Sequence, residues 1–135
     1  MVIRYAYLWR SEHQRGIEEG TKNRPCAVLL AVNDEAGDRK VVVLPITHTP
    51  PRDPIHAIEI PAPTKRRLGL DDDRSWIVIN EANRFTWPGP DLRPLKSGDP
   101  ASVVYGELPG DLFRAVRDKW IALSTTRRSV VPRTE

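Results

Sequence analysis

The chain holds one cysteine and one methionine among 135 residues, and aromatic side chains make up only 7% of it. A lone cysteine, Cys26, excludes an internal disulfide and fits a reducing compartment. It directly precedes the apolar residues 27–31, so a buried structural thiol is expected rather than a reactive one. No apolar run approaches the roughly 20 residues that a membrane-crossing helix needs. The opening residues 1–7 place no basic segment ahead of a long apolar one, so no secretory leader is expected and the chain should stay in the cytoplasm. The three histidines, His13, His48 and His56, lack the short paired spacings of zinc sites. A glycine-rich phosphate loop is missing too, as is a Gly-x-Ser-x-Gly nucleophile elbow. These absences argue against zinc hydrolases, nucleotide-binding enzymes and serine hydrolases, and no metal or cofactor is expected.

What is abundant is proline, 13 residues in 135, about twice the ordinary fraction of roughly 5%. Proline is poorly tolerated inside helices and central strands. The chain should therefore consist of short elements joined by fixed turns, as in small β-rich barrels. With 39% hydrophobic and 29% charged residues it reads as one globular domain that needs no staples. A formal charge of +3 is compatible with a nucleic-acid substrate without arguing strongly for one.

Residues 3–9 read as a first strand, and the polar residues 10–23 as a long loop without a helical apolar stripe. Residues 26–32 and 41–46 are apolar runs on either side of a turn containing Asp34, Gly37 and Asp38, which predicts an antiparallel hairpin. Pro50 and Pro51 end its second strand. Further short strands are expected at 57–60, 75–79, 83–87 and 102–107, with one helical turn around 63–69 closed by Gly69. The long helix is expected over 108–123, where Leu112, Val116, Trp120 and Leu123 recur at helical spacing. The expected domain spans 1–123, and 124–135 reads as a flexible basic tail. The fold class expected is mainly β with a C-terminal helix, curled into a small barrel.

Arg24 opens the first hairpin strand and Thr47 and His48 close the second, so all three should meet at one end of the sheet. A guanidinium, a hydroxyl and an imidazole placed together can hold and activate a phosphodiester. A capped strand end with a solvated histidine is the plainer reading, and by the residues alone the commoner one. Trp76, Trp87, Phe85 and Tyr5 can stack on unpaired bases, although each residue type is more often core; only Trp87 looks loop-borne. The basic run Lys65-Arg66-Arg67 suits a phosphate backbone, or equally a solvated turn.

The segment from Gly16 through Glu18, Glu19 and Gly20 into Arg24-Pro25 resembles the first loop and second strand of the PemK/MazF toxins. Val42-Val43-Leu44-Pro45-Ile46-Thr47 resembles that family's third strand, and Asn80-Glu81 through Arg84-Phe85-Thr86 its later strand. The resemblance covers residues 3 to about 123. It implies an SH3-like barrel, usually a two-fold homodimer, restrained by an antitoxin. It also implies metal-independent cleavage of single-stranded RNA, in which a ribose 2′-hydroxyl attacks its own 3′ phosphate. Carried over, Arg24 is similar to the phosphate-stabilising arginine and Thr47 to the active-site threonine. Glu19, Lys22, Arg84 and Trp87 are the candidate RNA contacts. The chain departs from the pattern at Ile17, where some members carry a histidine. It departs again at Val78 and Asn80, where some carry an arginine and an aspartate. The general base is thus open among Glu81, His48 and His13. Two other readings compete: a relative of the same fold that poisons DNA gyrase without catalysis, and a non-catalytic SH3-like module binding RNA or protein.

Overall fold

The computed structural model describes residues 1–16, 22–123 and 129–133. Its centre is the expected hairpin, β2 (Arg24–Asn33) and β3 (Arg39–Thr47), joined by a turn that Gly37 enters with φ near +85°. On its outer side β2 pairs with β1 (Val2–Tyr5), which in turn pairs with β7 (Val104–Gly106). The other edge of β3 is shared. Residues 39–43 pair with β6 (Glu81–Trp87), whereas Ile46 and Thr47 pair with β5 (Trp76–Val78), and β5 pairs with β4 (Ala57–Glu59). Pro45 has no N–H to donate, and it falls in the gap where β3 passes from one partner to the other.

The sheet path runs β4-β5-β3-β2-β1-β7, with β6 branching from β3. Among the described residues its two ends do not pair. The architecture is mainly β, antiparallel except for one pair, with one long helix, α3 (Gly110–Ala122), near the C-terminus.

Residues 26–28 of β2 and 41–46 of β3 are covered on both faces, so they read as unbroken apolar runs rather than as alternation, whereas residues 30–33 of β2 are exposed. Leu44 and Ile46 of β3 and Ala27 of β2 face a core shared with Ile77, Ile79 and Val116 of α3. Val41 and Val43 face the opposite way, into a cluster with Tyr5, Tyr7, Cys26 and Phe85. Cys26 is fully buried as expected, and burial pushes its thiol far above the ordinary range. Tyr5, Phe85 and Trp76 are core side chains, so they offer no stacking surface.

Three expectations need correction. Residues 10–14 of the expected loop form a short helix, α1 (Arg10–Gln14), whose entry is tied by the Trp9 N–H donating to Glu12 Oε1 at 3.0 Å. Five residues are too few to show a periodic stripe. The second correction concerns the end of the chain, expected as a flexible tail. Residues 129–132 form β8 (Ser129–Pro132), parallel to β6, and Arg133 is buried. It follows that β7 is not the last strand. The turn around 63–69 forms as expected, as α2 (Ala62–Arg67) followed by Gly69 at φ near +71°. Lys65 of that turn, however, is buried rather than solvated.

Candidate functional site

Cys26 lies opposite Pro45 in the β2–β3 ladder. Arg24 and Thr47, each two residues further out, therefore close the same end of the hairpin. A cavity of about 530 Å³ opens there, lined by Arg24, Thr47 and His48 together with Lys22, Asp71 and Tyr105. Three of the four expected catalytic residues and one expected RNA contact thus share one concave surface. The register of a single hairpin is sufficient to bring the first three together.

Arg24 is held by aromatic contact. Its guanidinium carbon lies 4.9 Å from the centroid of the Trp9 ring, a cation–π arrangement. Its Nε is buried and makes no hydrogen bond among the described residues. Trp9 is itself braced edge-on by Tyr7, with centroids 5.2 Å apart. The cation is thereby positioned from behind rather than neutralised by a described carboxylate.

His48 belongs to a small charge network. Its Nε2 lies 2.7 Å from Asp71 Oδ2, while the Lys65 ammonium contacts Asp71 Oδ1 at 2.6 Å and also donates to the Asp73 carbonyl. Lys65 is buried and gains charge compensation there, whereas Asp71 is half-exposed at the cavity edge. The hydrogen bond from Lys65 holds the Asp71 carboxyl below its ordinary range, and the charges of Lys65 and His48 add to this. With Nε2 facing a carboxylate, Nδ1 of His48 is left to meet a substrate. Tyr105 also lines the cavity, and burial raises its phenol above the usual value, so it keeps its proton as a donor. Thr47 accepts a hydrogen bond from the Thr49 N–H at 3.2 Å, which leaves its own hydroxyl proton available.

His48, Asp71 and Asp73 also form the one potential metal-ligating cluster among the described residues, with ligand atoms within 4.8 Å of one another. The Lys65 ammonium already engages one carboxylate of that group, Asp71, at Oδ1, and its second bond goes to the Asp73 backbone carbonyl rather than to the Asp73 carboxylate.

The other expected residues lie elsewhere. Glu81 begins β6, and its Oε2 accepts hydrogen bonds from the Tyr7 hydroxyl and the Arg10 backbone N–H, both at 3.0 Å. It lines neither this cavity nor the neighbouring one. Burial raises its carboxyl above the ordinary range, although both donors oppose the shift. The folded value therefore exceeds the unfolded one, so ionised Glu81 weakens the fold increasingly as pH rises above the unfolded value. Because one oxygen accepts both bonds, an amide oxygen can replace it. Glu81→Gln is expected to melt at or above the wild-type temperature at neutral pH. Thermal denaturation checks this; a lower melting temperature would mean that the ionised carboxylate supports the fold.

Arg84 and Trp87 sit on β6 opposite Val42 and Arg39. Trp87 is thus beside the start of β3 while Thr47 is at its end, roughly 25 Å away along the strand. The Trp87 ring packs near Phe85, at 6.1 Å between centroids. His13 is exposed on α1. Glu19 lies outside the described residues.

Sequence reasoning missed Trp9, Lys65, Asp71 and Tyr105 as members of the site. The run Asp71-Asp72-Asp73 after a helix-closing glycine was the available signal for Asp71, but nothing local says which histidine such a loop will meet. A scan against family models, a search of curated proteins and a search of solved structures each found no match.

Proposed function

We propose that this chain is a metal-independent endoribonuclease of the PemK/MazF toxin type, cutting single-stranded RNA. The observation that carries the reading is the convergence of Arg24, Thr47 and His48 on one cavity, with Asp71 behind the imidazole. The antiparallel sheet, whose β3 changes partner along its length, with α3 packed on one core, supports assigning it to the small SH3-like barrels.

In this reading the RNA phosphate sits against Arg24, whose guanidinium matches two phosphate oxygens at once. His48 Nδ1 takes the proton from the ribose 2′-hydroxyl, and the 2′-oxygen forms a bond to phosphorus. The bond from phosphorus to the 5′-oxygen breaks, and that oxygen takes a proton from solvent. The products are a 2′,3′-cyclic phosphate and a 5′-hydroxyl. Asp71 steadies the imidazolium as it forms, and the Thr47 and Tyr105 hydroxyls donate to the crowded phosphate. Because the nucleophile belongs to the substrate, the enzyme supplies orientation, a base and charge stabilisation. Lys22 lies on the rim, where a cation draws the backbone in. A two-fold homodimer and a neutralising antitoxin belong to the same reading. The exposed Leu30 and Val32 on β2 are apolar surface that a second copy would use.

The test is incubation with a long single-stranded RNA in excess EDTA, with Arg24→Ala alongside and with fragment ends identified. The expected result is discrete cuts bearing cyclic phosphates, reduced about 10²–10³-fold in the variant. Intact RNA with the wild-type protein overturns the reading. Gyrase inhibition without cleavage would then favour the non-catalytic toxin, and RNA binding without new ends the binding module.

A further inference from the structure

A second cavity of about 390 Å³ adjoins the first and shares Trp9, Thr47 and Thr49 with it. The two are lobes of one groove that meet at Thr47. Their chemistry differs. The first lobe carries most of the charges, Arg24, Lys22, Lys65 and Asp71, while Arg52 is the one permanently charged side chain lining the second. The second is walled by Pro50, Pro51, Ala57 and Val78, with Trp9 at the junction. Into this mostly apolar lobe come His56 and Asn80. The Asn80 side chain makes no hydrogen bond among the described residues, although its backbone carbonyl accepts from the Ser129 N–H at 2.9 Å. His56 is likewise anchored by its backbone alone, its N–H donating to Asp53 and its carbonyl accepting from Ile79. Flat apolar walls with a few uncommitted polar groups are what a planar, hydrogen-bonding ligand requires.

We infer that the second lobe is a nucleobase-reading site, in which Asn80 sets the base preferred beside the phosphate held at Arg24. This rests on the reading of the groove as an RNA site and adds which part of the substrate the second lobe takes. The base next to the bound phosphate swings past Thr47 and lies along the Trp9 and proline walls. The Asn80 amide presents one donor and one acceptor side by side. That pair matches a base edge with the complementary pair, adenine above all. The side chain makes no hydrogen bond among the described residues, so replacing it removes a reader without removing a described support.

The test uses octamers of 2′-fluoro RNA, which lack the attacking hydroxyl and stay intact whether or not the protein is a nuclease. Each position in turn is varied among the four bases and an abasic residue, and Kd is measured for wild type, Asn80→Ala and Asn80→Asp. Wild type is expected to prefer adenine at one position by roughly 10-fold or more. Asn80→Ala should flatten that preference to within about twofold and leave the other positions unchanged. Asn80→Asp, which offers acceptors only, should shift the preference toward cytosine. A preference that survives Asn80→Ala overturns the inference. So does a wild-type protein that shows no preference at any position or does not bind. An Asn80-dependent preference in a protein that leaves natural RNA intact keeps the lobe and removes the nuclease; cleavage with a preference blind to Asn80 does the reverse.

Discussion

Replacing His48 by alanine is expected to lower kcat/KM for the proposed RNA cleavage by about 10²–10⁴-fold, with the fold intact. The imidazole lies on the exposed side of the cavity, and its only polar partner among the described residues is Asp71. Its removal therefore costs little packing. The loss should fall on kcat rather than on substrate affinity, because in the proposed reaction the proton is taken only as the 2′-oxygen attacks. Asp71→Asn should produce a smaller loss of about tenfold, since an amide still holds the ring but no longer stabilises its charge. That variant also deprives buried Lys65 of its counter-charge, so a fall in stability should accompany it while His48→Ala shows little. Initial rates over a range of RNA concentrations, with thermal melts of both variants, separate the two effects. A His48→Ala enzyme that cuts at the wild-type rate would move the base elsewhere, with His13 the first to examine.

The second large effect concerns the end of the chain and is one of stability. Arg133 is buried, and its guanidinium is used on several sides. Nη1 donates to the Ala6 carbonyl at 2.7 Å and to Asn83 Oδ1 at 3.0 Å, and Nη2 lies 3.0 Å from Asp91. Asn83 in turn accepts from the Leu8 N–H and donates to the Leu8 carbonyl. The network thus ties β8 to β6 and to the segment that follows β1. Arg133→Ala leaves the buried Asp91 carboxylate without its guanidinium, a change that typically costs about 3–5 kcal/mol. For a chain of this size the melting temperature should fall by roughly 10 °C or more. Arg133→Lys should recover only part of the loss, because a single ammonium cannot reproduce the planar fork. A wild-type melting temperature in Arg133→Ala would mean that the last strand contributes nothing to the fold, as a tail would.

These two residues mark the limits of what could be read in advance. Arg24 and Thr47 could be placed at one end of the sheet because the hairpin that joins them is local: two apolar runs, a turn with Asp34, Gly37 and Asp38, and a register that follows from its length. Cys26, Tyr5 and Phe85 were legible as core for a similar reason, since apolar side chains in strand-length runs are buried wherever the strands go. Glu81 and Trp87 were placed near the site by their position along a resembling segment. In space, Glu81 is committed to Tyr7 and Arg10, and Trp87 lies at the far end of β3. Arg133 carried no signal at all. Four strand residues after a polar stretch have no period to detect, and their pairing partner on β6 is over forty positions away.

By itself the sequence determined that the protein is made of short β elements with a helix late in the chain, and that its central hairpin carries a cation and a hydroxyl at one end. Proline spacing and apolar runs act over a few residues, so they are visible in order along the chain. The tertiary structure alone decided that Asp71 and buried Lys65 stand behind His48, that Trp9 lies under Arg24 and at the junction of the groove, and that Val131 and Arg133 are buried beside β6. Those contacts join segments far apart in sequence, and a charged side chain shows no trace of its partner until folding removes both from water.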